Sequence, residues 1–179
     1  NYHPLPVVIA KAKGVWVWDV EGKKYLDMLS SYSAINQGHL NEYIVGKAKQ
    51  QLDTLTLTSR AFHNDQLGPF LKHLCEVAGM EMALPMNTGA EAVETAIKLA
   101  RKYSYENNGK PADQGEIIVM ENNFHGRTTT IVGFSTDPGA RKGFGPFSEG
   151  FRTVPFNDLD AVRAAVNDKT IAILLEPIQ

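Results

Sequence analysis

Two short stretches hold most of the residues suited to binding an anionic ligand. In PMNTGAEAVETAIKLARKYSY (residues 85–105) a brief apolar approach ends in Asn87-Thr88-Gly89-Ala90, and a charged, helix-forming run follows at once. The first four N–H groups of a helix have no partner inside it, and the helix dipole makes that end mildly positive. Thr88 can cap those groups with its hydroxyl. Alternatively, since Gly89 has no side chain and Ala90 only a methyl, the same N–H groups are open to a phosphate. The second stretch, ENNFHGRTTT (121–130), follows the apolar run EIIVM (116–120) and presents an aromatic ring, an imidazole and a guanidinium together. Phe124 can cover a flat ring, and Arg127 can grip a carboxylate through a forked pair of hydrogen bonds. The alternative is that Phe124 is core, Arg127 a surface ion pair and His125 a packed ring. In a third stretch, SSYSAINQGH (30–39), small hydroxylated residues read as a loop, and loops often carry binding residues. Tyr32 there and Tyr2 in NYHPLP are polar-tipped aromatics that either line a pocket or are simply packed.

The elements that must position these residues alternate between strand and helix. Val15–Val20 alternates and is β-rich, and with Lys24–Met28 after Glu21-Gly22 it predicts a β-hairpin. Helical spacing predicts helices over Glu42–Leu52 and Leu67–Ala78. Met82–Met86 is read as a short extended piece, and a long helix is expected from about Ala90 to Tyr105. On that helix Ala90, Val93, Ala96, Ile97 and Ala100 share one face. Glu91, Glu94, Lys98 and Lys102 are placed largely on the other, with Glu94 and Lys98 in favourable order for an ion pair. EIIVM is continuously apolar, as expected of a strand covered on both faces. Strand Phe151–Pro155, helix Leu159–Val166 and strand Ile171–Leu175 complete βαβ units, which imply a mainly parallel sheet. In such sheets ligands sit outside the carboxyl ends of the strands, where Phe124–Arg127 emerge.

Composition narrows the field. The 179 residues are 43% hydrophobic and 21% charged, with a net charge of −2, values that fit an ordinary globular protein. There is no basic excess to attract nucleic acid, and no apolar run reaches the ~18–20 residues of a membrane helix. The single cysteine, Cys75, leaves no internal disulfide or multi-thiolate metal site, and no metal is expected. It reads as a small buried residue and fits a reducing compartment. No Walker or dinucleotide pattern is present, which argues against a nucleotide. The chain opens without Met and stops where a strand has just run into Pro177, so it is expected to be part of a longer protein. No signal or basic transit segment is read at the start. The cytoplasm is the expected location, with the mitochondrial matrix as the alternative.

Taken together, VWVWDVEGKKYLD, PMNTGAEAVETAIKLARK, NFHGRT, STDP, FGPF and EPIQ resemble the N-terminal part of the class III, pyridoxal-phosphate-dependent aminotransferases. NYHPLP, SSYSAINQGH and TLTSRAF resemble the ornithine branch in particular. The resemblance implies an α/β fold, that of a fold type I PLP-dependent transferase, incomplete. An N-terminal segment with a β-hairpin (1–50) would belong to the small domain and the substrate-pocket loops. Residues 51–179 would form the first part of the large, mainly parallel-sheet PLP-binding domain, truncated at Gln179.

The implied reaction moves the δ-amino group of ornithine to 2-oxoglutarate. Acetylornithine or 4-aminobutyrate as substrate, or a non-catalytic truncated binding fragment, are the alternatives. Thr88, Gly89 and Ala90 would hold the pyridoxal 5′-phosphate phosphate, Phe124 would stack on its ring, and His125 would lie next to it. Arg127 would take a substrate carboxylate, with Tyr2 and Tyr32 lining the pocket and Glu176–Gln179 at the site's edge. The Schiff-base lysine and the aspartate that pairs with the pyridine nitrogen would lie beyond Gln179, so the 179 residues alone are expected to be inactive. A homodimer or higher homo-oligomer is implied, with no nucleic-acid or membrane partner. One departure stands out: after Gly38-His39 the family usually has a His-Pro pair, where this chain reads Leu40-Asn41-Glu42-Tyr43.

Overall fold

A computed structural model describes residues 3–179. The chain forms two compact units, one ending at Glu81 and the other spanning Met82–Gln179. In the first unit β1 (Ile9–Lys13), β2 (Trp16–Asp19) and β3 (Lys24–Leu26) make an antiparallel sheet in that order. The expected hairpin is β2–β3. Its turn is organised by Asp19, whose carboxylate accepts the backbone N–H groups of Glu21 (3.0 Å) and Lys23 (2.9 Å) and the hydroxyl of Tyr25 (2.7 Å). Gly22 takes the positive φ (85°) that the turn demands. Strand β1 was not expected, because IAKAK carries only a faint apolar alternation.

After β3 the chain makes a single left-handed turn, α1 (Ser30–Ser33), with all four residues at φ between 44° and 68°. Beyond it, Gly14 and His39 exchange backbone hydrogen bonds, and His39 Nε2 lies 2.7 Å from Asp27 Oδ2. The residues after His39 that depart from the family pattern have a local explanation. Asn41 Oδ1 accepts the N–H of Ile44 and so caps α2 (Glu42–Leu52), with Glu42 in the favourable first turn. Residue 50, where the sequence reading divides the chain, falls inside this helix. Helix α3 (Leu67–Ala78) has the expected bounds and ends on Gly79 in the left-handed conformation.

The second unit is a parallel sheet in the order β5 (Phe151–Val154), β4 (Glu116–Met120), β6 (Thr170–Leu174). Strand β4 is central, and Ile117, Ile118, Val119 and Met120 are each 4% exposed or less. Ile117 and Val119 pack with Ile97 of α4 (Gly89–Asn107) and with Ile131 of α5 (Thr129–Gly133). Ile118 and Met120 face Val154 and Ala165, the latter on α7 (Leu159–Ala165). Alternate residues of one strand thus serve two separate apolar layers, which is why the run is apolar throughout. Met82–Met86 forms no strand. Helix α5 and the single turn α6 (Pro138–Arg141) were not expected, being four to five residues long in a Gly- and Pro-rich stretch.

At the amino edge of the sheet, Glu116 Oε2 accepts Arg152 Nη2 and Asn167 Nδ2, both at 2.9 Å, joining β4 to β5 and to the approach of β6. Asn167 first, and Arg152 after it, hold the Glu116 carboxyl below its ordinary range. Gly150 enters β5 at φ 90°, and a Cβ there would lie 2.9 Å from the Gly115 carbonyl oxygen. Gly150→Ala is therefore expected to destabilise the fold by about 1–3 kcal/mol, through both the conformation and the backbone clash. Chemical denaturation, with unchanged m-value, is the measurement that checks it.

Candidate functional site

The site residues in the second unit come from two places that the sheet brings side by side. One is the start of α4. Thr88 caps it as one reading allowed: its hydroxyl accepts the N–H of Glu91 (3.1 Å), and Glu91 Oε2 accepts the N–H groups of Thr88 (3.0 Å) and Asn87 (2.9 Å). This capping box fixes the first turn without using every donor. The N–H groups of Gly89 and Ala90 have no acceptor among the described residues, and a Cβ on Gly89 would meet only open space. The two readings of this stretch are therefore compatible: Thr88 caps, while Gly89 and Ala90 leave their donors exposed.

The other place is the loop leaving β4. Asn123 is buried, and its amide donates to the Met120 carbonyl at 2.6 Å, turning the chain sharply at the strand end. The N–H of Phe124 donates to Glu176 Oε2 at 3.1 Å, and Gln179 Nε2 donates to the Glu121 carbonyl at 2.9 Å. The loops after β4 and β6 are thereby tied together. Phe124 is 61% exposed, so the core alternative does not hold, and the Arg127 guanidinium carbon lies 5.2 Å from its ring centroid. His125 packs its ring against Phe134 and leaves a buried Nε2 with no hydrogen-bond partner among the described residues. Burial pushes its pKa below 6.5, while the nearby Glu176 carboxylate acts in the opposite sense.

Gly126 joins the two places. It sits at φ 129°, and a Cβ on it would come within 3.0 Å of the Ala90 Cβ. Only a glycine lets the loop lie this close to the helix start. Two residues on, the Thr128 hydroxyl donates to Glu94 Oε1 at 2.5 Å and accepts the N–H of Ile131, capping α5. Glu94 corrects the sequence reading of α4. It lies four residues after Ala90 and three before Ile97, so it belongs to their face and not to the exposed one. Tyr32 lies in the left-handed turn of the first unit and is 70% exposed, whereas Tyr2 lies outside the described residues.

The whole sequence, residues 1–179, matches the family described as Aminotransferase class-III. The chain belongs to the class III aminotransferases. It is 58% identical over its full length to an ornithine aminotransferase of Halalkalibacterium halodurans, and covers 45% of that protein. It is equally identical to an ornithine aminotransferase of Bordetella pertussis, covering 44%. The chain thus spans less than half the length of these curated relatives. A crystal structure of the ornithine aminotransferase from Toxoplasma gondii superposes on all of the chain and 43% of its own, with a TM-score of 0.97 at 41% identity. The acetylornithine aminotransferase of Elizabethkingia anophelis is 54% identical and matches with a TM-score of 0.83, over 44% of its own chain.

Class III aminotransferases depend on pyridoxal phosphate, and the second unit fits that group. The exposed Gly89 and Ala90 donors suit a phosphate, and the exposed Phe124 ring beside them suits a flat heteroaromatic. The His125 titration gives a direct check of the local electrostatics. Its pKa is expected below 6.5 by NMR, and lower still in Glu176→Gln, which removes the charge that favours imidazolium. Because the folded pKa lies below the unfolded one, the stability tied to His125 is present above about pH 6.5 and is lost as the pH falls towards the folded value.

Proposed function

We propose that the chain is the phosphate- and substrate-gripping part of an ornithine δ-aminotransferase, which moves the δ-amino group of L-ornithine to 2-oxoglutarate and yields glutamate 5-semialdehyde and glutamate. The observation that carries the reading is the docking of the Phe124–Arg127 loop on the helix start at Ala90, which gathers an anion cradle, a ring platform and a carboxylate grip within one loop and one helix turn. The ornithine aminotransferases at 54–58% identity support the choice of substrate.

In this reading the N–H groups of Gly89 and Ala90 hold the cofactor phosphate, with the dipole of the 19-residue α4 behind them. Thr88 keeps the turn in shape by accepting the Glu91 N–H, and its hydroxyl proton joins the Gly89 and Ala90 donors in holding the phosphate. Phe124 covers one face of the pyridine ring and keeps water from it. His125 stands beside the ring in its neutral form, favoured by burial, and adds no competing positive charge. Arg127 leaves its rest position over Phe124 to take a substrate carboxylate in a two-point grip. The resemblance to the ornithine branch assigns Tyr32 and Tyr2 to substrate binding as well. Pyridoxal phosphate, when bound, supplies the electron sink that lets an amino group pass between carbons.

The 54% identity to an acetylornithine aminotransferase favours a second reading, with acetylornithine as donor. A protein of the relatives' full length carrying these residues, loaded with pyridoxal phosphate, separates the two. Glutamate 5-semialdehyde is expected from ornithine and 2-oxoglutarate, with kcat/KM at least roughly tenfold above that for acetylornithine or 4-aminobutyrate, the margin a few lost polar contacts produce. Arg127→Lys is expected to lower kcat/KM for ornithine by about 10–100-fold, since a point charge cannot reproduce the fork. A preference for acetylornithine would overturn the ornithine assignment.

A further inference from the structure

Arg127 is placed by contacts on both sides of it in sequence. Gly126 abuts the first turn of α4 at Ala90, and Thr128 is bonded to Glu94 one turn further along the same helix. The step from Ala90 to Glu94 rises about 6 Å along the axis. Two residues of extended chain, the distance from Gly126 to Thr128, span at most about 7 Å. Two residues of chain are thus enough to reach from one contact to the other, and Arg127 sits between them. The Thr128 hydroxyl is fully used, donating to Glu94 Oε1 and accepting the Ile131 N–H, so its orientation is set as well. Glu94 is half-buried, and a charged acceptor makes this one of the stronger hydrogen bonds in the second unit.

We propose that Glu94 is a positioning residue for Arg127: by accepting the Thr128 hydroxyl it fixes how far the guanidinium stands from the Gly89–Ala90 donors, and so sets the length of ligand that fits between phosphate cradle and carboxylate grip. The inference rests on the functional reading above for the identity of that ligand. It gives α4 two separate duties. Its first turn offers the anion site, and its second turn sets the reach of the opposing cation. A grip that holds ground state and transition state alike acts on KM, so loosening it raises KM and leaves kcat nearly unchanged.

The test uses the full-length protein with pyridoxal phosphate, in the wild type and in Glu94→Ala, Glu94→Gln and Arg127→Ala variants. Glu94→Ala is expected to raise KM for ornithine roughly tenfold, the loss of one hydrogen bond to a charged group, while kcat and the cofactor dissociation constant change less than about twofold. Glu94→Gln keeps an acceptor for Thr128 and is expected to stay near wild type. In an Arg127→Ala background, Glu94→Ala is expected to add nothing further to KM, because the group it places is gone. An unchanged KM, a parallel rise in the cofactor dissociation constant, or a Glu94→Gln variant as impaired as Glu94→Ala each overturns the inference. Amide exchange across residues 126–131, read without substrate, separates its failure from that of the functional reading. Faster exchange in Glu94→Ala but not in Glu94→Gln supports the tie. The same pattern in a protein inactive on ornithine supports the tie and overturns the ornithine assignment.

Discussion

Everything in the second unit depends on β4 being paired on both edges and covered on both faces. Its backbone pairs with β5 on one edge and β6 on the other, and the side chains of Ile117 to Met120 alternate between two apolar layers. A strand in that position cannot shift by one residue without carrying its whole apolar set to the wrong layer. Its carboxyl end is therefore fixed, and with it the point at which Asn123 turns the chain and presents Phe124, His125 and Arg127. The amino edge is held independently by Glu116, Arg152 and Asn167. The polar groups of the site are thus placed by an apolar core, which only His125 touches, through Phe134.

Much of this was legible in the residues, and the exceptions have physical reasons. EIIVM announced a doubly covered strand because four successive apolar side chains, Ile117 to Met120, point alternately to both faces. Leu67–Ala78 was readable to the residue because helical spacing and Gly79 agree on its end. The short helices α5 and α6 were not readable. Periodicity needs more than four or five residues to show itself, and their caps, Thr128 and Asp137, stand in a stretch whose Gly and Pro suggest only loop. Strand β1 was missed because an edge strand of alternating Ala and Lys has almost no apolar signature. Glu94 was misplaced for a different reason. Its charge suggested solvent, and charge outweighed the helical phase that puts it beside Ala90 and Ile97.

The site shows the same division between what is local and what is not. That Gly89 and Ala90 open a helix start, and that Phe124 and Arg127 emerge at a strand end, follow from short stretches of sequence. That Gly126 presses on Ala90, and that Glu176 receives the N–H of Phe124, are contacts between residues 36 and 52 apart, which no local pattern encodes.

The tie between Phe124 and Glu176 also sets an order of events. Strand β4 is the middle of its sheet but the first of the three to be synthesised, and its second neighbour, β6, comes some fifty residues later. A chain emerging at roughly 5–20 residues per second exposes the finished β4 exit loop for several seconds before Glu176 exists to receive the Phe124 N–H. During that interval an apolar strand has one edge unpaired, a state prone to pairing with a stranger. The Phe124 platform thus matures only after β6 has docked, and the nascent chain must be kept from wrong partners until then.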